Sequence, residues 1–166
     1  MINKVQLLAF AMLCLCITSC SNDETPNTTL AGENGFEVNS TAYITDFIYL
    51  TSNEEIILSS RSLASGTTDG LNIVRFKTID QSLTEITYTV DENLIECTAA
   101  INAIWEDGSI IGGQSILEEA QVVSGFMRVI DINRALQQID IIFEFQRADG
   151  ELVAGTYQGN FETATF

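Results

Sequence analysis

The chain has 166 residues, with 23 acidic side chains, seven basic ones, a net charge of −16 and no histidine. A surface of that sign disfavours nucleic acid and anionic lipid, both of which need basic patches. The absence of histidine removes His-based triads and dyads and histidine-ligated metals.

Lys4 supplies the only positive charge near the start, and Val5 to Ile17 is an apolar run broken only by Gln6. As a helix that run spans about 20 Å, short of a ~30 Å hydrocarbon core. Its length and the small residues behind it predict a cleaved secretory signal over residues 1–19, not a membrane span. Ile17-Thr18-Ser19-Cys20 places an aliphatic residue and two small ones before a cysteine. This stretch resembles a bacterial lipobox. The resemblance implies that Cys20 becomes the first mature residue and carries covalent diacylglycerol and acyl lipid, which anchors the protein to a membrane. A buried CH₂ contributes ~0.8 kcal/mol, so two or three chains imply firm attachment. Ser21-Asn22-Asp23-Glu24 resembles the acidic export signal of surface lipoproteins in Bacteroidota. That likeness implies the outer membrane and exposure at the cell surface, although the Lys or Gln of some such signals is missing.

Residues 20–35 hold the lipidated cysteine and a polar tether with the sole proline, Pro26. Fifteen such residues reach about 20 Å. Without the signal, six basic residues face 23 acidic ones, a net charge of −17. Cys14 and Cys16 leave with the signal, which isolates Cys97 as a small buried hydrophobe with no intramolecular disulfide.

From Phe36 onward the pattern is strand after strand, which predicts a single β domain over residues 36–166. Phe36 to Asn39 and Ala42 to Ile44 flank a turn at Ser40-Thr41. Phe47 to Leu50 and Ile56 to Ser59 are short strands, and Ser65 to Gly70 reads as a loop. Leu71 to Lys77 and Leu83 to Val90 alternate and are rich in β-formers. Ile95 to Trp105 has the clearest period of two, with Ile95, Cys97, Ala99, Ile101, Ala103 and Trp105 on one face. Asp107-Gly108 signals a tight turn into Ile110-Ile111, and Gly112-Gly113 breaks or bends the chain beyond it. Gln114 to Gln121 is ambiguous in pattern and can form one or two helical turns. Val122 to Ile132 and Ile139 to Gln146 alternate again, and Leu152 to Phe161 closes the chain. Gly155 and Gly159, on the face of Val153, Tyr157 and Phe161, leave room for large rings or mark bulges.

Three Asp-Gly pairs (69–70, 107–108, 149–150) among short strands predict an antiparallel all-β domain of eight to ten strands. A two-sheet β-sandwich is the first expectation; a lipocalin-like or partly open β-barrel is the alternative. Gly155-Thr156-Tyr157-Gln158-Gly159 after the Asp149-Gly150 turn, and the opening Phe36-Glu37-Val38-Asn39-Ser40, resemble the closing and first strands of small uncharacterised lipoproteins of Bacteroidota. That family implies no common activity.

Chemistry is sparse. No phosphate-binding glycine loop stands between a strand and a helix, and a lone cysteine without histidine is a poor nucleophile. Glu54-Glu55, Asp91-Glu92, Glu106-Asp107 and Glu118-Glu119 offer carboxylates for glycan hydrolysis, but neighbours on a strand point to opposite faces. Calcium needs only oxygen ligands, and Asp91 and Asn93 are candidates in the turn Asp91-Glu92-Asn93. Trp105, followed by Glu106 and Asp107, is the candidate sugar-stacking residue, beside Tyr43, Tyr49, Tyr88 and Tyr157. The expectation is a non-catalytic envelope lipoprotein, without a cofactor beyond its lipid, that binds a protein or glycan partner and no nucleic acid. A barrel carrying a small hydrophobic ligand and a carboxylate-dependent hydrolase are the alternatives.

Overall fold

The computed structural model describes residues 33–63, 66–79 and 82–166. The lipobox, Cys20 and residues 21–32 of the tether lie outside the described residues. Twelve strands succeed one another: β1 (Gly35–Val38), β2 (Thr41–Ile44), β3 (Phe47–Thr51), β4 (Ile56–Ser59), β5 (Thr67–Thr78), β6 (Thr87–Thr89), β7 (Ile95–Glu106), β8 (Ser109–Leu117), β9 (Val122–Asn133), β10 (Gln138–Arg147), β11 (Leu152–Asn160) and β12 (Glu162–Ala164). The count exceeds the expected eight to ten; β2 and β6 fall within stretches read as strand, whereas the three-residue edge piece β12 lies outside every expected strand.

Two six-stranded sheets form a β-sandwich. One runs β2-β1-β11-β10-β9-β6 and the other β12-β3-β4-β5-β7-β8. All pairings are antiparallel except β12 against β3. The sheets do not close on each other, which corrects the barrel alternative. Phe36, Phe76, Phe143 and Phe145 fill the space between them, and the ring of Phe76 stands 4.8 Å from that of Phe143. Gly155 makes this packing possible: a Cβ there meets the Gly35 carbonyl oxygen at 2.3 Å and the Phe143 ring at 2.5 Å. Among the described residues no helix is long and apolar enough to cross a membrane.

The alternating face expected along β7 divides in two. Ile95, Cys97, Ala99 and Ile101 lie in the core between the sheets, whereas Ala103 and Trp105 join Ala100 in a second cluster. Asn102 causes the division. It adopts φ +48°, and the ladders of β7 with both neighbours slip around it. One extra residue in a bulge shifts the period of two by one and sends later side chains to the opposite face. The second cluster, with Tyr49, Ile57, Leu63, Leu71 and Ile73, therefore lies on the outer side of its sheet.

Three further expectations change. Thr67 to Gly70 belongs to β5, where Asp69-Gly70 is a bulge and not a turn. Leu83 to Ile86 is not strand: the Leu83 amide donates to Glu54 Oε2 and the Thr84 amide to Tyr88 Oη, so side chains hold what a ladder would. Gln114 to Leu117 extends β8, and a single 3₁₀ turn, Glu119–Gln121, comes after it.

Candidate functional site

The outer side of the second sheet carries a groove beside β7 and β8. Asp107 (φ +44°) and Gly108 (φ +89°) form the tight turn between these strands, the left-handed pair that a two-residue hairpin needs. β8 then slips against β7 between Ala99 and Ala100, between Ile101 and Ile104, and between Ile104 and Trp105. Gly113 (φ +113°) backs onto β7 so closely that a Cβ meets Ala103 Cα at 2.5 Å. The bending leaves a groove of about 530 Å³, with Thr98 and Ala100 from β7, Ile110 to Gly113 from β8, and Arg75 and Glu118 at its margins. Arg75 is held by Glu55, 2.6 Å away. Ile111 is exposed to 55%.

Trp105 borders this region but is fully buried, so it offers no sugar platform in this structure. Its ring meets that of Phe166 edge-to-face at 5.1 Å, and Phe166 also covers Tyr49. Trp105 Nε1 has no hydrogen-bond partner among the described residues. Tyr49, Tyr88 and Tyr157 are buried as well, and Tyr43 stacks on Phe36. Each buried tyrosine has its hydroxyl in a hydrogen bond. Tyr88 Oη donates to the Ser82 carbonyl, Tyr157 Oη to the Asn160 carbonyl, and Tyr49 Oη accepts from the Leu63 amide.

Asp91, Glu92 and Asn93 lie in the turn between β6 and β7, and all three are exposed. Asn93 takes φ +54°, its amide donates to the Val90 carbonyl, and Glu92 accepts from Thr89 Oγ1. These are the contacts of a polar hairpin turn. Among the described residues no three Asp, Glu or Cys side chains are placed to hold a metal ion. The neighbouring carboxylates Glu54 and Glu55 diverge: Glu54 pairs with Arg134 at 2.5 Å and Glu55 with Arg75.

A second acidic patch went unseen in the sequence because its members are apart in the chain. Asp131 on β9 faces Asp140 on β10 on the outer side of the first sheet, and Gln158 Nε2 donates to Asp140 Oδ2 at 3.2 Å. Partial burial, with Asp131 opposite, raises the Asp140 pKa. Cys97 sits in the core, and burial pushes its thiol well above the usual range, which removes it as a nucleophile at neutral pH. Comparison with known proteins finds no matching family model, no matching curated protein and no matching solved structure.

Proposed function

We propose that the protein is a non-catalytic lipoprotein of the cell envelope, held at the outer membrane by lipid on Cys20 and exposed at the cell surface, whose sandwich binds a protein or glycan partner. The Ile17-Thr18-Ser19-Cys20 motif and the polar stretch behind it support the anchor. One observation carries the binding half: the groove beside β8 is open and has an apolar wall, whereas the candidate aromatic side chains are buried or stacked in the fold. Near the groove, Arg75 pairs with Glu55 and Lys77 with Glu96.

The anchor is tested by metabolic labelling with a fatty acid: label is expected on the natural chain and lost in Cys20→Ala. Protease shaving of intact cells, read through a C-terminal tag, tests the surface. Removal of the domain with a periplasmic control intact supports exposure. Full protection of a domain that is cleaved after lysis refutes it.

A further inference from the structure

We propose that the free edge of β8 is a docking site for an extended segment of a partner protein, uncharged at its centre and basic at both flanks, which joins the sheet as an added strand. This inference rests on the partner-binding reading and specifies the partner's chemistry.

The edge itself is the first observation. Among the described residues β8 pairs with β7 alone and ends its sheet. The other edge strands, β2, β6 and β12, have four, three and three residues; β8 has nine. Natural proteins guard long edges with lysine, proline, inward charges or bulges, because unpaired N–H and C=O groups recruit further strands; β8 is bulged against β7 but has none of the other guards. Ser109 to Leu117 reads Ser-Ile-Ile-Gly-Gly-Gln-Ser-Ile-Leu, with no charged residue and no proline. Arg147 Nη1 donates to the Ile116 carbonyl at 2.8 Å and occupies that end of the strand. Ser109 to Ser115 remain, a bent run of at most about 23 Å at ~3.3 Å per residue. An added strand offers alternate side chains to the two faces of the sheet, and main-chain bonds supply affinity without demanding one sequence.

Charge selects the occupant. Glu106 and Asp107 are exposed at one end of β8, and Glu118 and Glu119 at the other. The nearby cations are already engaged by other acids: Arg75 pairs with Glu55, Lys77 with Glu96, and Arg147 with Asp149 and Glu151, so they offset these ends only in part. The edge is thus a neutral run between two negative ends, which a segment with Lys or Arg at both flanks complements. A second copy fits badly. Antiparallel β8–β8 pairing about a two-fold axis sets Glu106 and Asp107 of one copy beside Glu118 and Glu119 of the other. The chain's own tether fits no better, because residues 21–33 contain Asp23, Glu24 and Glu33 and no basic residue.

The test uses the mature full-length protein and a fluorescent synthetic peptide of alternating valine and threonine with two lysines at each end. Controls are the same peptide with a central proline, and one with glutamates in place of the lysines. The expected result is saturable binding that weakens at least tenfold with either control and at least tenfold in Ile111→Lys. Glu118→Gln with Glu119→Gln is expected to weaken binding several-fold and to flatten its salt dependence. Circular dichroism and thermal unfolding matching the natural protein show that both variants fold. Equal binding of the proline peptide, or no effect of Ile111→Lys, overturns the edge. Equal binding of the glutamate peptide overturns the basic partner, and a dimer abolished by Ile111→Lys assigns the edge to a second copy. Absence of peptide binding, with glycan binding that Ile111→Lys leaves unchanged, overturns this inference alone. Absence of binding to any peptide, glycan or envelope protein overturns the partner-binding reading as well.

Discussion

Asp131 and Asp140 stand directly opposite one another on β9 and β10, two carboxylates in a cross-strand position that favours opposite charges. Burial, with Asp131 opposite, raises the Asp140 pKa in the folded state. The folded protein therefore holds a proton to higher pH than the unfolded chain. The stability this contributes is complete below the ordinary carboxylate value of 3.8 and is lost as pH rises through the raised value. Asp140→Asn keeps an acceptor for Gln158 and removes the repulsion. It is expected to stabilise the protein at pH 7 by about 0.5 kcal/mol, and the gain over the natural protein is expected to vanish as pH falls below the ordinary carboxylate value. Urea unfolding at pH 7 and in acid checks this; an unchanged midpoint at pH 7 refutes it.

Tyr49 Oη accepts the Leu63 amide at 3.0 Å in a buried setting and ties the loop after β4 to the outer cluster. Tyr49→Phe preserves the ring and leaves that N–H without its partner. The expected loss is about 1–2 kcal/mol, with faster hydrogen exchange at the Leu63 amide. Unaltered exchange there means that the hydroxyl does not hold the loop.

Asn102 occupies the left-handed region at φ +48° with its side chain exposed. Asn102→Gly is expected to change stability little. Asn102→Val, β-branched at a position of positive φ, is expected to cost about 1–3 kcal/mol. Thermal unfolding monitored by Trp105 fluorescence measures both; equal stability of the two variants contradicts a strained bulge at this position.

Cys97 is 2% exposed, and burial raises its thiol pKa. In a chain of residues 20–166 with Cys20→Ser it is expected to resist a thiol reagent at pH 8 and to react completely in denaturant. Rapid labelling of the native protein at the same pH contradicts the buried assignment.

Local pattern revealed much of the fold and little of the site. The alternation of Ile139, Ile141, Phe143 and Phe145 reports a strand with one dry face, and all four are core residues. Asp107-Gly108 and Asp149-Gly150 are turns between paired strands, whereas Asp69-Gly70 is a bulge inside β5. The dipeptide specifies a backbone that tolerates positive φ, and the distant partner decides whether the chain reverses. The same limit governs Trp105. Its alternation with Ala103 marks a buried face, but Asn102 determines which face, and Phe166, sixty-one residues later, covers it. The free edge of β8 was hidden for the same reason: being last in a sheet is a property of pairing, not of the nine residues themselves.

The placement of β1 has a consequence for how the domain is made. β1 is not an edge strand; it lies between β2 and β11, with Gly35 opposite Thr156 and Val38 opposite Val153. The first strand synthesised thus waits for nearly the last before its sheet can close. Pairings this remote in sequence make folding slow, because the loop must close before the contacts reward it. The completed sheet then clamps the start of the domain between two neighbours, so a pull on the chain ahead of Gly35 loads the ladders on both sides of β1 together.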